Sequence, residues 1–188
     1  MKTFIQHSET TAPAGAAELL GKVRERYGFI PNLAAFLAES PTALEGLLGL
    51  AGAFDKTSFS EIERQLIQLT VSVENNCDYC RSAHTGMARK AGMEPEKVQA
   101  VLAKRPLGEG RLEALRKFTR TLVEKRGWAS DDEVSRFLQT GYTKAQVFEL
   151  VLGIALKTLT NYTNHLAGAT PNPEFLTEIG SAQERTAP

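Results

Sequence analysis

The chain is sparing with reactive and special side chains: its 188 residues include two cysteines, three histidines, three methionines and one tryptophan. Two cysteines cannot staple a small secreted scaffold, so the fold has to rest on a hydrophobic core. Neither sign of charge is in excess, 22 Lys plus Arg standing against 22 Asp plus Glu, and no bulk field favours nucleic acid or anionic lipid. No apolar run approaches the roughly 18 residues of a membrane span. The polar opening from Met1 to Thr10 lacks the apolar stretch of a secretion signal. These absences predict no nucleic-acid partner, no membrane partner and a cytoplasmic location. A hydrophobic fraction of 42% with 23% charged residues fits a folded chain, and its length predicts a single domain.

Sustained alternation is also scarce. Between the prolines at 13, 31, 41, 95, 106, 171, 173 and 188 the apolar residues recur at spacings of three and four, the period of helices packed on one face. An all-α chain is predicted, with helices at 14–27, 32–39, 41–54, 60–74, 77–91, 95–103, 109–126, 131–139 and 143–165. Two starts are marked by caps: Ser40 followed by Pro41, and Ser60-Glu61-Ile62-Glu63 with capping-box spacing. Residues 1–13 and 169–188 read as irregular termini. Val147, Leu150, Val151, Ile154, Ala155 and Leu159 read as one buried stripe on a central last helix. A competing element is Leu69-Thr70-Val71-Ser72-Val73, which alternates and is β-branched and so can be read as a strand entering a Cys-x-x-Cys helix. The other strands that such a thioredoxin-like sheet needs are not visible.

The two cysteines fall close together in Glu74-Asn75-Asn76-Cys77-Asp78-Tyr79-Cys80-Arg81-Ser82-Ala83-His84. If a helix begins near Cys77, with Asn75 or Asn76 as its cap, then Cys77, Cys80 and His84 share one face. Thiol chemistry needs the thiolate, which the free amides of a first helical turn, an imidazole and a nearby cation all favour. His84 lies one turn from Cys80, and Arg81 adds charge that Asp78 opposes. A second thiol three residues away resolves an oxidised sulfur into a disulfide, so two-electron chemistry needs no bound cofactor. Either sulfur can lead on these grounds, since Cys80 is nearer His84 and Cys77 nearer the helix start. Structural zinc is disfavoured, because His7 and His165 are the only further histidines and there is no second Cys pair. No metal site is therefore assigned.

These residues resemble the alkylhydroperoxidase AhpD-like and carboxymuconolactone decarboxylase group, most strongly over 60–91, where a helix precedes Cys-x-Tyr-Cys-x-x-x-His. Tyr27-Gly28-Phe29-Ile30-Pro31-Asn32-Leu33 with Ser40-Pro41, and Leu159 to Ala167, are similar to its peroxidase-related branch. The resemblance covers most of the chain and implies an AhpD-like helical bundle. It implies a thiol-dependent reductase of organic hydroperoxides, recycled by a thiol or disulfide electron donor. In it Cys80 meets the peroxide, Cys77 resolves it and His84 relays protons. It also implies a homo-oligomer, trimer or hexamer, which the broadly apolar helix from Ala43 to Phe54 supports.

One departure stands out: where the best-known members carry a relay glutamate, this chain has Gln65. An amide can orient an imidazole but cannot accept its proton. Glu74 is the favoured substitute carboxylate, with Glu61 and Glu63 behind it. Tyr79 and Gln65 are read as supporting residues that orient peroxide and imidazole. His165 reads as a helix C-terminal residue, His7 has no visible partner and Trp128 reads as packing. The alternatives are a decarboxylase-type enzyme of the same fold, which needs no paired thiols, and a non-enzymatic redox-responsive or zinc-binding protein.

Overall fold

The structure is a computed structural model that describes residues 3–108 and 110–175. Among the described residues there are nine α-helices and no strand: α1 (Ala16–Tyr27), α2 (Asn32–Leu37), α3 (Pro41–Asp55), α4 (Glu61–Glu74), α5 (Asp78–Lys90), α6 (Pro95–Leu102), α7 (Arg111–Glu124), α8 (Asp131–Gln139) and α9 (Lys144–Ala167). The all-α prediction holds, and each predicted helix is present with ends displaced by a few residues. Local chemistry sets those ends. Ser60 accepts from the Glu63 amide while Glu63 accepts from the Ser60 amide, and Thr143 and Gln146 repeat that reciprocal box at the start of α9. Ser40 accepts from the Ala43 amide ahead of Pro41.

Helix α4 lies at the centre, packed by α5, α7 and α9. That position explains why Leu69–Val73 resembles a strand in sequence. Every residue from Leu66 to Val73 is buried, so the apolar run reflects cover on all sides and hides the helical period. The main core gathers Phe54, Leu66, Ile67, Leu69, Leu115 and Leu150. A smaller cluster holds Leu33, Phe36 and Phe175 around Cys77, Tyr79 and Cys80.

Helix α9 is rotated relative to the stripe expected of it. Its inner line runs Gln146, Leu150, Gly153, Leu156, Lys157, Thr160 and Asn161, while Val151 is 48% exposed and Ala155 also faces out. The inner face is partly polar because its second half borders the two thiols. Gly153 permits the close approach to α3 and α4: a Cβ there would stand 2.6 Å from the Phe54 ring and 3.1 Å from Ile67 Cγ2.

The terminal segments are pinned; residues 3–13 are irregular, whereas 173–175 are helical. The His7 amide donates to the Ala35 carbonyl at 3.0 Å, and its ring bridges Glu39 Oε2 at 2.9 Å and the Thr11 carbonyl at 3.0 Å. His7 therefore has partners that sequence did not reveal. Beyond Gly168, which ends α9 in a left-handed conformation, the chain folds back and buries Phe175. The remainder of the predicted loose terminus, 176–188, lies outside the described residues. Trp128 is 84% exposed, contrary to the packing role read for it.

Candidate active site

The link between α4 and α5 sets the thiols. Asn75 closes α4, Asn76 takes φ 53°, and the amides of Asn76 and Cys77 donate to the carbonyls of Val73 and Ser72 at 3.2 and 3.0 Å. This is a Schellman ending with asparagine at the left-handed position, one of the few side chains that tolerates it. The chain leaves it extended, so that Cys77 itself is the cap residue of α5, with Cys80 in the first turn. Asn75 and Asn76 thus finish α4 rather than start α5. Arg81 holds this turn, donating to Asn76 Oδ1 at 2.8 Å, the Val73 carbonyl at 3.1 Å and Asp78 Oδ1 at 3.2 Å. Its charge serves the loop, and Asp78 points to solvent with 89% of its side chain exposed.

Both cysteines are free and buried. Their acidities part in opposite directions. The hydrogen bond from Cys77 holds the Cys80 thiol well below the ordinary range, against the cost of burial, with further help from the Lys157 charge, Asn161 and Thr160. The same bond, together with burial, pushes Cys77 far up. One proton is thus kept on Cys77 and directed at a Cys80 thiolate.

His84, one turn along α5, directs its ring nitrogens to Gln65 and Lys157. Its Nδ1 bonds Gln65 Oε1 at 2.9 Å, which makes Nδ1 the protonated nitrogen because a carbonyl oxygen only accepts. Its Nε2 is therefore a bare acceptor, and it takes a hydrogen from Lys157 Nζ at 2.5 Å. Burial, reinforced by the Lys157 charge, lowers the His84 pKa well below its ordinary value. Lys157 is 5% exposed. Burial lowers its pKa too, and the negative charge of Cys80 and then Cys77 opposes that fall.

Cys80, His84, Lys157 and Thr160 border a cavity of about 130 Å³ whose other walls include Leu33, Leu47, Leu48, Ala83, Met87, Leu156 and Phe175. An engineered apolar cavity of about 150 Å³ holds benzene, so a small organic group fits. The cavity also explains why Leu47 and Leu48 of α3 are only half-buried. A second cavity of about 220 Å³ on the far side of His84 is lined by Gln65, Glu61, Arg64, Asp55 and Arg26.

The other sequence-predicted residues part company here. Gln65 hydrogen-bonds His84. Tyr79 donates to Asn172 Oδ1 at 2.8 Å and receives the Leu33 amide at 3.4 Å, so its hydroxyl ties down the segment after α9. Glu74 is a correction: its carboxylate takes Lys104 Nζ at 2.8 Å and lies 3.8 Å from Arg120. It faces the α6–α7 side of α4 and borders neither cavity. Glu63 caps α4 and receives Arg111 and Tyr142. Glu61 alone of the three reaches the His84 surroundings. His165 is exposed near the end of α9, its ring beside Tyr162.

Lys157 escaped the sequence reading, although a signal exists. It interrupts the apolar run Val151 to Leu159 and lies at helical spacing between Leu150, Gly153 and Asn161. A cation on the inner line of a buried helix needs a compensating partner. Among the described residues no group of three or more His, Cys, Asp or Glu side chains is placed to hold a metal ion.

The thiols and His84 all sit on α5 of an all-α bundle, Cys77 as its cap residue, and the comparisons agree on an AhpD-like fold. The alkylhydroperoxidase AhpD core of an uncharacterized peroxidase-related protein from Ralstonia eutropha JMP134 superposes with a TM-score of 0.81 at 20% identity, covering 92% of this chain and 93% of that one. A peroxidase-related protein from Silicibacter sp. TM1040 gives 0.76 at 17% identity, with 87% of each chain covered. The debrominase Bmp8, in complex with 2,3,4-tribromopyrrole, gives 0.75 at 15% identity over 96% of each chain. No curated protein matches by sequence. Residues 38–107 match the model of the carboxymuconolactone decarboxylase family, a stretch that contains α3 to α6 and both thiols. The fold is AhpD-like, and over residues 38–107 the chain is similar to the carboxymuconolactone decarboxylase family.

Proposed function

We propose that this chain is a thiol-dependent oxidoreductase that reduces organic hydroperoxides. The observation that carries the reading is a pair of buried thiols of opposed acidity, Cys80 at an apolar cavity and ready as a thiolate, Cys77 behind it and kept as a thiol. The Cys80 thiolate attacks the terminal peroxide oxygen, the O–O bond breaks, and with one proton the products are a Cys80 sulfenic acid and an alcohol. The Cys77 thiol then attacks that sulfur, releasing water and leaving a Cys77–Cys80 disulfide. A dithiol electron donor restores the reduced pair. Such recycling suits a reducing compartment such as the cytoplasm, and no described helix is long and apolar enough to cross a membrane. Self-association into a trimer or hexamer belongs to the same reading. Phe148, Tyr162 and Leu166 on the outer face of α9 are 76%, 58% and 75% exposed, a stripe that a second copy would cover.

Mass spectrometry of thiol-labelled protein before and after one equivalent of cumene hydroperoxide tests this. The expected result is an internal disulfide in the wild type, a trapped sulfenic acid at Cys80 in Cys77→Ser, and no oxidation in Cys80→Ser. The same two electrons can instead replace a carbon–bromine bond by carbon–hydrogen, a reading favoured by the cavity's apolar walls and the likeness to Bmp8. Disulfide formation with 2,3,4-tribromopyrrole but not with hydroperoxide would select it. Carboxylate turnover that survives loss of both cysteines would select decarboxylase-type chemistry.

A further inference from the structure

Among the described residues Lys157 is a buried cation without a carboxylate partner. Arg116, similarly buried, is held by two hydrogen bonds to Glu113. The charge that counters that of Lys157 is the Cys80 thiolate's. The Lys157 hydrogen bond goes to a neutral imidazole that Gln65 orients to present a lone pair. That acceptor aims the ammonium but cannot give it a proton, since Nε2 carries none. The titratable and charged groups around it are Cys77, Cys80 and His84 on the α5 side, Tyr79 beside them and Arg26 with Tyr27 from α1. Arg26 is occupied by Asp55, and α4 contributes the amides of Gln65 and Gln68, with Glu61 and Arg64 on the second cavity that His84 also borders.

We propose that Lys157 is the general acid of the peroxidase step, protonating the alkoxide that leaves as Cys80 takes the peroxide oxygen, with His84 as the residue that positions it. The inference rests on the peroxidase reading above. Protons and charge balance without solvent. Thiolate, ammonium, thiol and hydroperoxide become disulfide, neutral amine, alcohol and water. With the thiolate gone the amine has lost its counter-charge in a buried site, which favours the neutral form. Reduction of the disulfide returns one proton to Cys77 and one to Lys157. The redox state of the thiols and the charge of Lys157 are thereby coupled.

The test uses the leaving group. An alkoxide needs the acid, whereas the weakly basic acetate that leaves from peracetic acid does not. Single-turnover oxidation by cumene hydroperoxide and by peracetic acid is measured for wild type, Lys157→Met and His84→Gln, each corrected for thiolate content read from ultraviolet absorbance. Lys157→Met is expected to lose on the order of 100-fold with cumene hydroperoxide and under about 10-fold with peracetic acid, the general-acid range. Equal losses with both oxidants, or a leaving-group-selective loss in His84→Gln alone, overturn the proposal. Should Lys157→Met not fold, proton uptake by the wild type decides. Disulfide formation without matching uptake in the same kinetic phase supports the proposal, and one proton taken up per disulfide overturns it. If the wild type consumes neither peroxide, the peroxidase reading and this inference fall together. If turnover persists without the selective pattern, only the inference falls.

Discussion

Asn75 Nδ2 donates to Asn161 Oδ1 at 2.9 Å, tying the end of α4 to the turn of α9 beside the thiols. Asn161 is fully buried and its Nδ2 has no hydrogen-bond partner among the described residues. The same side chain helps to hold the Cys80 pKa down. Asn75 thus fixes the amide so that its donor end remains for sulfur. A hydrogen bond to a charged group contributes about 1.5–3 kcal/mol. Asn161→Ala should therefore raise the Cys80 pKa by about one to two units, while Asn75→Ala should produce a smaller rise. Thiolate absorbance in a Cys77→Ser background reads both, and an unchanged titration in Asn161→Ala would remove the assigned contact.

Cys80 should dominate reactivity toward electrophiles at neutral pH, because its thiol is lowered and that of Cys77 is raised. Iodoacetamide in limiting amount should label Cys80 first, with the rate levelling off below the ordinary thiol range of about 8.5. The stability consequence has a definite sign. A depressed acid stabilises the fold fully above its unfolded pKa and loses that contribution as pH falls through the folded value. The denaturation midpoint of the reduced protein should therefore rise with pH up to the ordinary thiol range, and more steeply than in Cys80→Ser. Parallel curves for the two proteins would contradict it.

Much of this architecture is legible in sequence for identifiable reasons. Ser60 with Glu63, Ser40 with Pro41 and apolar spacings of three and four mark helices through local chemistry, which survives any tertiary arrangement. The Cys77, Cys80 and His84 cluster is legible because it lies within one turn and a link. What sequence hides is direction. Glu74 follows the same helix as Gln65, yet it turns to Lys104, and only the packing of α6 and α7 decides that. Lys157 is 73 residues from its imidazole partner, so nothing local connects them. The run Leu69–Val73 misleads because burial on every side erases the period that distinguishes helix from strand.

Gly153 is a position where the extra methyl of alanine should harm rather than help. Alanine usually favours a helix interior by about 0.8–1 kcal/mol over glycine. Here the added carbon would lie 2.6 Å from Phe54 Cε2 and 2.8 Å from Phe54 Cζ, with that ring buried. Overpacking of this kind costs about 1–3 kcal/mol. Gly153→Ala should lower the thermal midpoint, and a variant as stable as wild type would mean that Phe54 moves aside without strain.

Tyr79→Phe should loosen the segment after α9 while leaving thiol chemistry largely intact. Its hydroxyl donates to Asn172, which also receives the Asn32 amide at 2.9 Å. Losing the hydroxyl leaves that second bond, so the expected cost is about 1 kcal/mol. Limited proteolysis beyond Gly168 should accelerate, with Cys80 alkylation within about twofold of wild type. A large fall in alkylation with unchanged proteolysis would instead place the phenol in the thiol's electrostatics.

Gln65→Glu should convert His84 into a titrating group. In the wild type Nδ1–H donates to a neutral amide and Lys157 occupies Nε2, so His84 should stay neutral across pH 5–8, the range in which an ordinary imidazole protonates. A carboxylate at 65 stabilises the imidazolium by a charge-assisted bond. Protonation at Nε2 then sets an N–H against the Lys157 ammonium, so His84 and Lys157 compete to carry one positive charge. The variant should show a His84 ring resonance titrating within that pH range, together with a new pH dependence in cumene hydroperoxide reduction as the proton shifts away from Lys157. A His84 that titrates normally in the wild type would contradict the neutral tautomer on which the aim of Lys157 depends.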